Sequence, residues 1–233
     1  MAKEHVHDVF QSVAEQYDAA NNRISLGMHH GWKRALVDAA MSVIPTNGSV
    51  GKVLDVCCGT GDITQRIAEA HPDCMCVGLD FSSEMLKVAE TRVGSLDNVM
   101  LVEGNAMELP FEDNYFDAAV ISFGLRNTPD YVTVLSEMKR VVRPGGIVAC
   151  LDASVPDNRL IFPFYRVYYQ AAMPFLGGGI SKHKEYVWLY QSTQDFPRKA
   201  VLKELFWQAG LVQIEVRSFC MGAAALHTGR VPA

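Results

Sequence analysis

Val50-Gly-Lys-Val-Leu-Asp-Val-Cys-Cys-Gly-Thr-Gly-Asp62 joins a β-branched apolar run to a glycine-rich turn. The run, bounded by Gly48 and Gly59, has the length and composition of a buried strand. A turn in that position opens a helix where an open α/β sheet binds its ligand, at the carboxyl ends of the strands. Runs of the same kind recur at residues 74–79, 99–102, 116–122 and 147–151, separated by helical or turn-rich stretches that include 82–93 and 131–142. Such alternation predicts a parallel sheet with helices on both faces. Arg143-Pro-Gly-Gly146 is expected to end the helix before the fifth strand in a tight reversal, since Pro144 cannot continue it. Residues 199–209 then read as a last helix and 211–216 as a strand, with 221–226 as an antiparallel partner.

Two segments stand outside this alternation. Residues 1–45 read as helical, with Phe10, Val13 and Tyr17 on one face and Trp32, Leu36 and Val37 on another. Residues 155–196 hold ten of the chain's 22 aromatic residues and read as a cap inserted between the fifth strand and the last helix. A chain of 233 residues, 49% hydrophobic and 20% charged, is expected to form a single domain, 1–233, carrying these two additions. The net charge of −5 leaves no surplus for gripping a phosphate backbone, so nucleic acid is not an expected partner. A mean hydropathy of +0.06 is high for an acidic chain, and the cap gives the apolar excess a place. Met1 to Asp8 lacks the pattern of a secretory leader, and no window reaches ~18 apolar residues, so a cytoplasmic protein is expected. The six cysteines match no zinc spacing and read as structural thiols, and no metal is expected. His29 and His30 read as solvent-facing, and His227 as structural.

The turn after the first strand carries the chemistry. Asp55 closes that strand region, and Gly59 and Gly61, on either side of Thr60, let backbone come close to a ligand. Asp80 follows Gly61 by 19 residues, near the ~20-residue spacing at which an acid meets a ribose hydroxyl. Thr64 occupies the third glycine's place in the dinucleotide fingerprint, so a pyrophosphate has a poorer cradle. S-adenosylmethionine fits better, because it carries an adenosine, an amino-acid tail and a sulfonium but no phosphate. Asn105-Ala106, just past the third strand, offers an amide and backbone to an adenine edge. The rival on the same sheet, an NAD-dependent oxidoreductase, requires a Tyr-x-x-x-Lys pair or its equivalent, and none follows the fourth strand. Intact Asp80 and Asn105 oppose a second rival, a non-catalytic subunit that keeps the fold.

Five further stretches carry a resemblance in their order. Val9-Phe-Gln-Ser-Val-Ala-Glu-Gln-Tyr-Asp18, Gly27-Met-His-His-Gly-Trp-Lys-Arg34, Gly59-Thr-Gly-Asp62, Ile121-Ser-Phe-Gly-Leu-Arg-Asn127 and Arg143-Pro-Gly-Gly146 look like signatures of the quinone-ring C-methyltransferases of ubiquinone and menaquinone biosynthesis. The resemblance runs from near Val9 to the C-terminus. It implies a class I methyltransferase: a Rossmann-like sheet, mostly parallel with an antiparallel C-terminal strand. It also implies donor contacts at Thr60, Asp80, Asn105, Ala106 and Ser122, beside the loop residues Asp55, Gly59 and Gly61. Leu151-Asp-Ala-Ser154 stands where the family usually has Leu-Glu-Phe-Ser, so the ring acceptor is left more open than the methyl donor.

The implied reaction methylates a ring carbon of a reduced, polyprenylated quinone, first of all demethylmenaquinol. A methoxy-polyprenylbenzoquinol or another small aromatic acceptor is the alternative. A hydroquinone, unlike a quinone, pushes electron density onto the attacking carbon. Arg126 and Asn127, beyond the fourth strand, are the leading candidates for holding the ring oxygens, with Arg126 favouring the phenolate. Tyr17 and Asp18 would close over the ring. Expected partners are the quinol and, transiently, the inner face of a membrane, with a homodimer left open.

Overall fold

The computed structural model describes residue 25 and residues 27–45, 49–158, 160–168 and 191–233. Tyr17, Asp18, most of the N-terminal segment and most of the 155–196 cap lie outside the described residues.

Helix α1, His29–Met41, precedes strand β1, Gly51–Val56. Then come α2, Asp62–Ala70; β2, Cys74–Asp80; α3, Ser83–Val93; β3, Val99–Glu103; and β4, Phe116–Ser122. A 3-10 turn, Leu125–Asn127, leads to α4, Tyr131–Val141, and β5, Val142–Ala153. A short α5, Phe162–Val167, follows, and α6, Lys199–Gln208, precedes β6, Val212–Phe219, and β7, Ala224–Arg230. The described strands form a seven-stranded sheet in the order β3-β2-β1-β4-β5-β7-β6. All its pairings are parallel except those of β7, which lies antiparallel to both β5 and β6.

The central strands β1, β2, β4 and β5 are largely buried on both faces, as the middle of a parallel sheet must be. Val53, Ala118, Val120, Ala149 and Leu151 pack with α1 and α2. Their strand neighbours Leu54, Val56, Ala119, Ile121, Val148 and Cys150 face the other way, into a core with α4 and α6. Local chemistry starts the helices where the chain leaves the sheet: the Ser82 hydroxyl accepts from Met85 N–H at 3.4 Å, and Asp130 accepts from Thr133 N–H at 3.1 Å. No helix among the described residues is long and apolar enough to cross a membrane.

Three expectations are corrected. Arg143–Gly146 is not a tight reversal but a bulge inside β5: from Phe116↔Val142 to Ala118↔Ile147, β5 advances five residues while β4 advances two. Arg143 holds the bulge from outside, pairing with Asp117 at 2.5 Å and donating to the Val43 carbonyl at 2.9 Å. The last strand begins at Ala224 instead of Met221, because Cys220 and Met221 take φ of 45° and 56° in a tight turn. His29 is buried, not solvent-facing; its Nδ1 meets Ser25 Oγ at 2.6 Å, and burial, then Lys33 and His30, lower its pKa to about 4. His227 is structural as expected, buried with Nε2 on the Lys199 carbonyl at 3.0 Å.

Phe206 fastens α6 to the sheet: it is fully buried, and its ring lies 5.8 Å from that of His227. Phe206→Ala is expected to destabilise the protein by about 3–5 kcal/mol, because removing a buried ring leaves a cavity the packed sheet cannot close. Urea denaturation should show a lower midpoint at an unchanged slope.

Candidate active site

The carboxyl ends of β1, β2 and β4 frame a cavity of about 480 Å³, within the roughly 300–1,000 Å³ typical of small-molecule sites. Asp55, Gly59, Thr60, Asp80, Asn105, Ala106, Ser122 and Asn127 all line it. Residues spread over 73 positions of sequence meet there because parallel strands deliver every loop to the same edge.

The loop after β1 is held by hydrogen bonds to the neighbouring strand. Cys58 N–H donates to the Leu79 carbonyl at 3.0 Å, and Gly59 N–H to Asp80 Oδ2 at 2.8 Å. Gly59 has φ of +56°, and a Cβ built on it would point into open space, so the backbone there is bared to whatever fills the cavity. Gly61, with φ of +77°, does a different job behind the wall: a Cβ would lie 3.1 Å from that of Ala89, so its absence lets α3 pack close. Thr64, in the third glycine's place, is fully buried and donates its hydroxyl to Asp55 Oδ2 at 2.7 Å. Thr60 Oγ1 accepts from Arg92 Nη1 at 3.0 Å, tying the loop to α3.

Buried carboxylates dominate the electrostatics. Burial pushes the Asp55 carboxyl up to about 7, against the Thr64 hydrogen bonds, and its Oδ1 has no hydrogen-bond partner. Burial also raises Asp80, although N–H groups of Ser82, Gly59 and Phe81 work to keep it ionised. Its oxygens accept from Gly59 and from Ser82 N–H at 2.9 Å, and each retains a lone pair for a further donor. At the α2 end of the cavity, Lys33 of α1 donates to Asp62 Oδ2 at 2.5 Å, and Arg66 to Oδ1 at 2.9 Å. Burial opposes ionisation of Asp62, but these two cations hold its pKa below the usual value. Asn105 forms a turn, its Oδ1 accepting from Met107 N–H at 3.0 Å, and so presents Ala106 to the cavity.

On the β4 side, Ser122 Oγ and Asn127 Oδ1 are buried without hydrogen-bond partners. Arg126 is turned elsewhere. Its guanidinium pairs with Asp152 at the end of β5 at 2.5 Å and donates to the Phe123 carbonyl at 2.8 Å. Of the two ring-binding candidates, Asn127 therefore reaches the cavity wall, while Arg126 stands behind it. Sequence reasoning missed Lys33, Asp62 and Thr64 as parts of the site, and it met Asp152 only as a departure from a family pattern. The available signal for Asp152 was an acid kept at a strand end, one strand over from an arginine.

A model of the ubiE/COQ5 methyltransferase family matches residues 1–231. The chain belongs to that family. This methyltransferase is 47% identical over 230 residues to the demethylmenaquinone methyltransferases of Staphylococcus aureus strains JH9 and Newman, covering 97% of its own length and 93% of theirs. Its fold is similar to a SAM-dependent methyltransferase from Thermotoga maritima, with a TM-score of 0.65 at 18% identity, covering 96% of this chain and 99% of that one. It is similar too to a SAM dependent methyltransferase from Aquifex aeolicus, with a TM-score of 0.58 at 17% identity, covering 78% and 82%.

The residues fit S-adenosylmethionine as the methyl donor. Unpartnered acceptors at Asp55 Oδ1 and Ser122 Oγ await donor groups or positive charge, Asp80 suits a ribose, and Lys33 is already paired with Asp62. Lining of this kind favours a cation that brings hydroxyls and an ammonium, and disfavours phosphate.

A cation next to Asp55 must favour its carboxylate, so binding should release a proton. Donor affinity is then expected to be about tenfold weaker at pH 6 than at pH 8, levelling off above pH 7, with calorimetry as the check. Asp55→Asn should flatten that profile. In the ligand-free protein the unfolded chain ionises Asp55 from about pH 4 while the native state resists to about 7, so stability falls across that window. Asp55→Asn should therefore raise the melting temperature at pH 8 and leave it nearly unchanged at pH 4.

Proposed function

We propose that this methyltransferase converts demethylmenaquinol to menaquinol, adding a methyl group to a ring carbon of the reduced naphthoquinone. The identity of 47% across nearly the whole of both chains carries this reading, since the relatives are named for that substrate.

When bound, S-adenosylmethionine supplies an electrophilic methyl group on a sulfonium. The chain's own residues bind and orient. Asp80 accepts from the ribose hydroxyls, Asn105 and Ala106 face the adenine edge, and Gly59 and Thr60 form the turn alongside. Asp55 balances positive charge, and Ser122 closes the donor side next to the acceptor loop. Asn127 Oδ1, buried and unpartnered at the cavity wall, accepts from a ring hydroxyl. An acceptor at that place draws the proton outward and loads electron density onto the ring, which a reduced quinol needs if its carbon is to attack. Arg126, its charge balanced by Asp152, holds the turn that carries this amide. Tyr17 and Asp18, which lie outside the described residues, remain part of the proposal as residues that close over the ring. The polyprenyl tail calls for action at the inner face of a membrane, which the protein meets peripherally.

Incubation with donor labelled in its methyl group should place label in menaquinol when chemically reduced demethylmenaquinol is supplied. A 2-methoxy-6-polyprenylbenzoquinol is expected to be the poorer acceptor, and the oxidised quinone inert. Mass analysis of products decides. Label in the benzoquinol product alone would move the acceptor, and label in neither would overturn the quinol reading.

A further inference from the structure

Asp152 sits at the carboxyl end of β5 with no contact to the cavity among the described residues, yet it is 2% exposed and engaged by three donors. Arg126 Nη1 donates to Oδ1 at 2.5 Å, Ala153 N–H to Oδ1 at 2.8 Å, and Arg126 N–H to Oδ2 at 3.3 Å. One carboxylate thus holds both ends of Arg126, backbone and side chain, and fixes the 3-10 turn Leu125–Asn127 over the strand end. From there Arg126 Nη1 reaches the Phe123 carbonyl at 2.8 Å, and the same carbonyl accepts from Asn127 Nδ2 at 3.4 Å. Phe123 needs such support, since it is a non-glycine residue with φ of +56°. Its N–H is tied to the Leu151 carbonyl at 2.7 Å, so β5 grips the loop from both sides. An Asn127 amide whose Nδ2 is committed to Phe123 must turn its Oδ1 the other way; that oxygen is buried and unpartnered, in a residue that lines the cavity.

We propose that Asp152 is a positioning residue for methyl transfer: through Arg126 and the Phe123 carbonyl, it aims the Asn127 side-chain oxygen at the ring hydroxyl of the acceptor. The proposal rests on the reading that Asn127 accepts from that hydroxyl. It also gives a role to the position where the family resemblance has Glu: a carboxylate of either length can serve, an amide cannot. A neutral Asn at 152 still accepts from backbone N–H groups but holds a guanidinium weakly, so the carbonyl clamp loosens and the Asn127 amide loses its single orientation.

The test compares Asp152→Asn, Asp152→Glu, Asn127→Ala and the double variant Asp152→Asn/Asn127→Ala, with turnover read by label incorporation below each variant's melting temperature. Asp152→Asn should lower kcat about 10–100-fold, since a small misplacement of a reacting group costs that much. Its donor affinity should stay within about twofold of wild type, and Asp152→Glu should recover most of the lost rate. Asn127→Ala should show a comparable loss, and adding Asp152→Asn to it should cost less than about twofold more, because residues acting in one chain are not additive. A merely structural Asp152 would lower stability while the rate losses multiplied. Where Asp152→Asn does not fold, Arg126→Met/Asp152→Leu replaces the buried pair without an unpaired charge, and is read in the same cycle. Wild-type kcat for Asp152→Asn, or multiplying losses, overturns the proposal while the Asn127 reading stands. Wild-type turnover in Asn127→Ala removes that reading and this one with it.

Discussion

The strand ends that frame the cavity, and the end of β5 behind it, each carry a side chain that prefers water, and the fold takes that water away. Asp55 lies next to the last residue of β1, Asp80 closes β2, Ser122 closes β4, and Asp152 lies next to the last residue of β5. The three carboxylates are 1%, 5% and 2% exposed. A buried carboxylate is tolerable only when N–H groups, hydroxyls or cations gather round it. Each of these does gather a loop. Asp80 draws in the turn after β1 through Gly59, Asp55 anchors α2 through Thr64, and Asp152 pins the turn after β4 through Arg126. The loops that build the cavity thus owe their positions to desolvated acids at the sheet edge, and their shape follows from the cost of leaving those acids unsatisfied.

The same acids select the ligand. A dinucleotide needs N–H groups and space for two phosphates at the N-terminus of α2, but that corner holds Asp62 beside raised, buried Asp55, and Thr64 fills the room a third glycine would leave. Phosphates brought there would find the nearby cations already paired with Asp62, and would oppose ionisation of Asp55 still further. A sulfonium with an ammonium tail meets the reverse situation, because its charge offsets the desolvation that strains Asp55. The chain's net charge of −5 says little about this by itself. What discriminates between cofactors is where the acids are buried.

Much of this arrangement was legible in the sequence because it depends on local order. The apolar runs marked β1 to β4 almost to the residue, because a β-branched apolar stretch bounded by turn residues is what a largely buried strand requires. Asp80 was placed by spacing alone. Features set by long-range register were not legible. Pro144 and two glycines look like a turn in isolation, but they form a bulge within β5, between the β4 pairings of Val142 and Ile147 and under the grip of Arg143 on Asp117. Arg126 looked like a ligand for the ring because it follows a strand on the cavity side. Its true neighbour is 26 positions away, and only the pairing of Ile121 with Cys150 and Ser122 with Leu151 reveals that Asp152 arrives alongside. His29 was misjudged for a related reason: a helix face is polar or buried according to what packs on it, and α2 packs on α1.

Donor loop and acceptor loop also meet directly, without a ligand between them. A Cβ on Gly124 would lie 2.6 Å from Cys57 Cβ, so the two turns are in contact at a point where no larger residue fits. Each turn carries a strained non-glycine residue next to that contact, Cys57 and Phe123, both with φ of 56°. Strain of that kind persists only where surrounding bonds over-determine the backbone. Here the bonds come from opposite directions: Asp80 holds the Cys57 turn from β2, and Asp152 holds the Phe123 turn from β5. Methyl transfer requires donor carbon and ring carbon to approach to roughly 3–3.5 Å in line. Two turns abutting at Gly124 supply a fixed reference for that approach, one lining the cavity through Gly59 and Thr60 and the other leading to Asn127 at its wall. The separation of the two turns is thereby set by backbone contact and by buried acids on β2 and β5, the strands that flank β1 and β4, and not by the ligands' own attraction for each other.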